Sequence, residues 1–314
     1  MTPLITIFSA PKPFTNPHIA VIQRNAVRSW LALGEAVEVL LLGDEEGLPQ
    51  AAGDLGVHLI REVKRNASGT PLVSSLFELA RQHGSSPLLA YVNADILLLP
   101  DFIHGAKALQ ATLKPFLAVG QRWDLEVTGQ MEFGEGWPDE LRQEIRANGL
   151  LHPPAGSDYF LYPRECFTWM PDFAIGRAGW DNWMIYQARR QGWPVVDATA
   201  DIQIVHQNHD YSHLPGGQPH YKLPETGDNI RLAGGRMMTR FTLLDCNRRL
   251  AGGRLLAVPF SWRHFWREAE IFPLVGLRST ALGRLSHAIF HPVRASGEAR
   301  AWLSQRLHRR IQLG

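Results

Sequence analysis

A chain of 314 residues with 45% hydrophobic and 20% charged content carries enough apolar material for one large α/β domain, alone or with a smaller appendage. Its formal net charge of +2 gives no field of the kind that gathers nucleic acid. Its two cysteines, Cys166 and Cys246, cannot build a disulfide framework. A reducing, cytoplasmic compartment is therefore the expectation. No uninterrupted apolar run approaches the ~20 residues of a membrane span, and the opening MTPLITIFSAPKPF, without a basic stretch, reads as a strand rather than a signal peptide.

In chain order, LITIFSA (4–10) reads as a buried strand, and Ile19, Ile22, Ala26, Trp30 and Leu33 then recur at helical spacing until Gly34. AVEVLLLGD (36–44) and GVHLIRE (56–62) are the second and third strands, with a helix over 71–84. LLAYVNADILLLPDF (88–102) holds the fourth strand, interrupted by Asn93-Ala94-Asp95. A helix over 101–113 and a strand over 115–123 follow. Strands alternating with helices predict a mostly parallel sheet covered by helices on both faces. Beyond Trp123, helices are expected over 138–149 and 179–192, a strand over 157–163, and one or two strands in 195–213. Residues 215–232, rich in Gly, Pro and polar groups, read as loop.

The composition shifts near Leu250. Residues 251–314 carry ten arginines, no lysine and three glutamates, with Trp262, Phe265, Trp266, Phe272, Phe290 and Trp302 among them. The expected organisation is a domain over 1–250, split into halves 1–123 and 124–250, and a basic, aromatic helical extension over 251–314. Arginines beside aromatics suit either a solvated helical face or a peripheral contact with anionic lipid at the inner face of a membrane.

Ligands of open parallel sheets bind outside the carboxyl ends of the strands, and polar residues gather at those ends here: Ser9 and Lys12, Asp44, Asn93 and Asp95, Arg122 and Trp123. On extended backbone, residues i and i+2 point the same way, so Asn93 and Asp95 place an amide and a carboxylate side by side. That pair suits a hard divalent cation, which would also offset the cost of burying the carboxylate. The competing reading has Asp95 capping a helix through ILLLPDF, which Pro100 disfavours. In IVHQNHDYSH (204–213), His206 is placed at a strand end as a further metal ligand, with His209 as a substrate contact. A separate zinc site using His206, His209, Asp210 and His213 is the alternative. Asp181, flanked by Trp180 and Trp183, is either a helix cap or an acid facing a sugar, whose apolar faces stack on aromatic rings. Asp158, beside Tyr159, is the reserve candidate.

With these residues placed, the chain resembles the GT-A-fold glycosyltransferases, which use nucleotide-sugar donors and carry an Asp-x-Asp motif at the end of the fourth strand of a Rossmann-like half. YVNADILLLPDF stands in that place, and IFSAPKPF and NAVRSWLALGEAVEVLLLGDEEG are similar to the family's nucleotide-binding strands. The resemblance covers roughly 4–210. It implies metal-assisted transfer of a sugar from a UDP- or GDP-linked donor to the hydroxyl of a glycan, lipid-linked or small-molecule acceptor, with inversion as the expected outcome. Asp95 and His206 would bind Mn2+ or Mg2+, with Asn93 replacing the first acid of the motif. Ser9, Lys12, Asp44 and Arg122 would line the donor pocket, and Trp123, Tyr159, Trp180, Trp183 and His209 the sugar or acceptor side. Asp181 would be the general base. Two other classes are open from the residues alone: a metal-dependent hydrolase or nucleotidyltransferase on the same sheet edge, and a non-catalytic carbohydrate-binding protein.

Overall fold

The computed structural model describes residues 2–209, 223–293 and 296–297. Two compact units divide the chain: Met1–Ala188 with Trp193–Val258, and Arg189–Gly192 with Pro259–Gly314. No helix among the described residues is long and apolar enough to cross a membrane.

The first unit is built on a nine-stranded sheet. Strands β1 (Ile5–Ser9), β2 (Val37–Leu42), β3 (His58–Ile60) and β4 (Leu88–Val92) lie parallel in the order 3-2-1-4. β9 (Tyr159–Pro163) runs antiparallel between β4 and β6 (Leu117–Val119). Parallel β10 (Val195–Asp197) and β12 (Arg248–Ala251) follow, and β13 (Arg254–Ala257) closes the edge as a hairpin. Leu250, where the composition shifts, lies inside β12 and is buried.

Side-chain alternation along the strands sorts the helices onto two faces. Ile5 and Ile7, Leu88 and Ala90, and Tyr159 and Leu161 pack with Trp30 of α1 (Pro17–Leu31), Ala52 of α2 (Leu48–Leu55) and Phe102 and Ala106 of α4 (Asp101–Thr112). The intervening residues Phe8, Tyr91 and Tyr162 point the other way. They meet Phe77 of α3 (Val73–His83), and Tyr91 also meets Trp180 of α6 (Trp180–Gln191) at 5.1 Å between ring centroids. The expected mostly parallel sheet with helices on both faces is what forms.

Two runs expected as single strands each divide between sheets. After β4 the chain turns at 93–95 and enters β5 (Ile96–Leu98). After β6 it enters β7 (Arg122–Leu125). With β11 (Ile204–Gln207) and β8 (Leu150–Leu151) these form a second sheet in the order β5-β11-β7-β8, whose core includes Leu97, Leu99, Val205 and Ile145 of α5 (Trp137–Asn148). The expected loop at 215–232 is corrected in part: Pro224–Leu232 is helix α7, with Pro224 at its first turn where a missing N–H costs nothing. Asp210, His213 and residues 215–222 lie outside the described residues.

The second unit contains α8 (Trp262–Val275) and α9 (Thr280–Phe290). Ser261 and Ser279 cap them by accepting the backbone N–H groups of His264 and Leu282. The helices approach closely at Gly283, where an added Cβ would stand 3.0 Å from Leu274 Cβ.

Candidate functional site

The turn at 93–95 sits where the two sheets part. Its backbone is pinned from β11: Gln207 N–H donates to the Asp95 carbonyl at 3.1 Å, and its side-chain amide donates to the same carbonyl at 3.2 Å and to that of Ile22 at 2.8 Å. Gln207 is held in turn by Asn25, whose amide donates to its Oε1 at 3.1 Å. All of this is buried. Such a fully bonded polar network fixes one geometry, because any broken member would leave an unsatisfied group.

The Asp95 side chain emerges from this anchor 8% exposed. Its Oδ2 accepts from Lys12 Nζ at 3.3 Å and lies 3.1 Å from His209 Nε2, and Lys12 Nζ is 3.1 Å from that same ring nitrogen. Its Oδ1 is buried with no hydrogen-bond partner among the described residues. Burial opposes the charge, but Lys12 and the two histidines outweigh it and hold the carboxyl well below the usual carboxylate range. Asp95, His206 and His209 offer one ligand atom each, all within 4.8 Å of one another. Lys12 is set in place by Gln23 of α1, which accepts from its backbone N–H at 2.6 Å and donates to its carbonyl at 3.0 Å. Ser9, at the end of β1, is wholly buried, and its hydroxyl has no partner among the described residues.

A second knot of charge stands beside the first. Asp124 Oδ1 lies 3.3 Å from His206 Nδ1, its Oδ2 lies 2.7 Å from His152 Nδ1, and Arg122 Nε donates to it at 2.8 Å. Burial works against the Asp124 charge, yet these partners depress its pKa strongly. The His206 approach is one of charge alone, because its buried Nδ1 makes no hydrogen bond among the described residues. The other end of Arg122 donates to both carboxylate oxygens of Asp158 at 3.0 Å each. Burial disfavours the guanidinium charge, but the two aspartates reverse that and raise its pKa.

The expected site residues can now be located. Ser9, Lys12, Asp95, Arg122, Asp158, His206 and His209 gather at this end of the strands. Asn93 turns to the acids rather than to the Asp95 cluster: its amide donates to Asp158 Oδ1 at 2.8 Å. Asp181, half-buried in the first turn of α6, accepts from Gly179 N–H at 3.2 Å. Its pKa is raised chiefly by burial, with the charge of Asp158 adding to the effect. Trp180 and Trp183 are both buried, the first against Tyr91 and Phe160, the second against Phe173. Tyr159 is fully buried, with its hydroxyl unpartnered among the described residues. Trp123 packs on the core of the second sheet. Asp44 lies apart, paired with Arg61 at 2.7 Å where both are exposed. Asn25, Asp124, His152 and Gln207 were not anticipated. Only Asp124 left a signal, as an acid two residues beyond Arg122 on the same strand.

No family model matches the sequence, nor does any curated protein. Among solved structures, the chain is similar to mannosyltransferase PcManGT from Pyrobaculum calidifontis in complex with GDP-Man and Mn2+, at 13% identity and a TM-score of 0.44. The match covers 68% of this chain but 59% of that one. It is also similar to glucosyl-3-phosphoglycerate synthase from Mycobacterium tuberculosis with Mn2+, uridine diphosphate and glucosyl-3-phosphoglycerate. There the identity is 15% and the TM-score 0.42, over 66% of this chain and 73% of that one.

Proposed function

We propose that the chain is a GT-A-type glycosyltransferase that moves a sugar from a nucleoside-diphosphate donor to an acceptor hydroxyl. The observation that carries this reading is Asp95: a carboxylate at the carboxyl end of a parallel strand, with one oxygen buried and unbonded and two imidazoles within reach. An unbonded buried oxygen is costly unless something fills it. Asp95, His206 and His209 fit a divalent cation, and two nitrogens among three donors favour Mn2+ over Mg2+. When bound, the cation neutralises charge on the departing diphosphate.

The chain's own groups divide the remaining work. Lys12 adds a positive charge beside the diphosphate, and the buried Ser9 hydroxyl offers a donor at the end of β1. Arg122, spread over Asp124 and Asp158, faces the sugar from a geometry it cannot easily leave. Asp181 accepts the acceptor's proton as its oxygen attacks the anomeric carbon, giving inversion. A carboxyl whose pKa is raised by burial is the better base for this, being closer to the operating pH. Asp158, engaged by Arg122 and Asn93, positions rather than receives. The buried free cysteines suit a reducing compartment.

Thermal-shift screening against UDP- and GDP-linked sugars, with and without Mn2+, tests the reading, because a ligand of the folded form raises its apparent stability. Asp181→Asn is expected to lower transfer by about 10²–10⁴ while donor binding persists. The anomeric proton of the product, read by NMR, reports inversion. Ordinary turnover by Asp181→Asn would move the base elsewhere.

The imidazole-rich ligand set also favours a second reading, a metal-dependent hydrolase or nucleotidyltransferase. That enzyme would bind Mn2+ tightly without nucleotide, whereas the transferase gains metal affinity when a nucleoside diphosphate is present.

A further inference from the structure

The pair of helices in the second unit carries apolar side chains on its outer faces as well as its inner one, where Ile271, Leu274 and Val275 are buried and Leu274 meets Gly283. Polar groups converge between α8 and α9. Glu270 Oε1 lies 3.1 Å from His291 Nε2 and 3.7 Å from His287 Nδ1, its Oε2 accepts from Arg267 at 3.0 Å, and its backbone carbonyl accepts from Ser286 Oγ at 2.7 Å. Apolar side chains point outward at helical spacing. On α8 the exposed stripe is Trp262, Phe265, Trp266 and Phe272, at 67%, 45%, 55% and 55% exposure; on α9 it is Leu282, Leu285 and Ile289, at 45%, 59% and 67%. Steps of three, four and seven residues put each set along one line of its helix. A helix in water leaves its second face polar, so two further apolar stripes mark a surface for contact.

Charge says what the cover is. The acids of residues 259–293 are both engaged: Glu270 as above, and Glu268 with Arg189 of the same unit at 2.6 Å. Arg263, Arg278 and Arg284 have no acidic partner among the described residues, and each is exposed. Unpaired arginines beside an apolar stripe that begins with tryptophan match a surface that is anionic at its headgroups and apolar below them. A second copy of the chain would place these arginines against one another, and like charges oppose that pairing.

We propose that the α8–α9 pair is a docking surface for an anionic lipid bilayer. It lies in the interface with its stripes in the acyl boundary and its arginines among phosphates. The proposal stands apart from the transferase reading, and either can fail alone.

The test is co-sedimentation of the full chain with vesicles of phosphatidylcholine alone, or with one-third phosphatidylglycerol, alongside tryptophan emission. The expected result is binding to the anionic vesicles with a blue shift, weakened in about 1 M salt, where the Debye length falls to about 3 Å. Replacing Arg263, Arg278 and Arg284 together by Gln should weaken binding about 100-fold. The double variant Trp262→Ser and Trp266→Ser should lose the blue shift and bind at least about tenfold more weakly. Leu150→Ser with Leu151→Ser, also exposed but in the first unit, should change nothing. Because all these side chains are exposed, circular dichroism should be unaltered. No partition to anionic vesicles at low salt would overturn the proposal. So would unchanged binding by both second-unit variants, or a lipid-free dimer in sedimentation equilibrium that the tryptophan substitutions dissolve.

Discussion

The molecule contains nearly the same side-chain set twice. Asp95 with His206, His209 and Lys12 in the first unit has its counterpart in Glu270 with His287, His291 and Arg267 in the second. They differ in unspent bonding capacity. Both oxygens of Glu270 and its carbonyl have partners, and the cluster ties one helix to another. Asp95 keeps one oxygen buried and unbonded, on a backbone gripped by Gln207 at the open ends of parallel strands. Composition alone would treat the two as equals. What marks a place for a ligand is an unfilled valence, held where the fold prevents it from relaxing.

The strongest way to break this comparison is to titrate Mn2+ in the presence of a nucleoside diphosphate, by calorimetry, into Asp95→Asn and Glu270→Gln. The first should lose at least about 100-fold in affinity, since an anionic ligand becomes neutral. The second should match the parent. Equal losses would make the clusters equivalent.

Lys12 sharpens the contrast, because it holds one oxygen of Asp95, Oδ2, beside the unbonded Oδ1 that a cation would approach. Removing a like charge at this range should raise the affinity for Mn2+ alone by about tenfold in Lys12→Gln, while nucleotide affinity falls. If metal affinity drops instead, the ammonium is a support for the site rather than a competitor.

The smallest effect concerns stability. Burial opposes the Glu270 charge, but Arg267 and the histidines depress its pKa in the fold. A depressed carboxylate stabilises above its unfolded pKa and loses that contribution as the pH falls through the folded one. Glu270→Gln should therefore cost about 1–3 kcal/mol near neutrality. The gap from the parent, followed by urea denaturation, should close in acid. A gap that widens in acid would contradict the assigned pairing.

Much of the first unit was legible because period-two and helical spacing are local: β1, β2, α3, α4 and α6 fall within a few residues of where their apolar positions predict. What stayed hidden is non-local. LLAYVNADILLLPDF reads as one interrupted strand, since nothing in it records that Ile96–Leu98 pairs with Ile204–His206, a hundred residues away. Trp180 and Trp183 read as rings awaiting a sugar because sequence gives the neighbours of Asp181 but not the direction they face. Both are buried. Asn93 sits two residues from Asp95 in the chain, yet it bonds Asp158, an acid just before β9. Helix α7 escaped notice because a Pro at the first turn looks like a loop residue when no apolar periodicity follows.

The short passage between β4 and β5 has a consequence for tolerated variation. Three residues span the gap from one sheet to the other, with ladder partners on both sides: Tyr159 opposite Val92, and His206 opposite Ile96. Side chains at 93–95 can be exchanged at a chemical cost alone, but adding or deleting one residue there would put one of the two ladders a step out of phase and turn every side chain beyond it to the opposite face. The segment is thus a ruler whose length is fixed by two sheets at once, whatever letters are written on it.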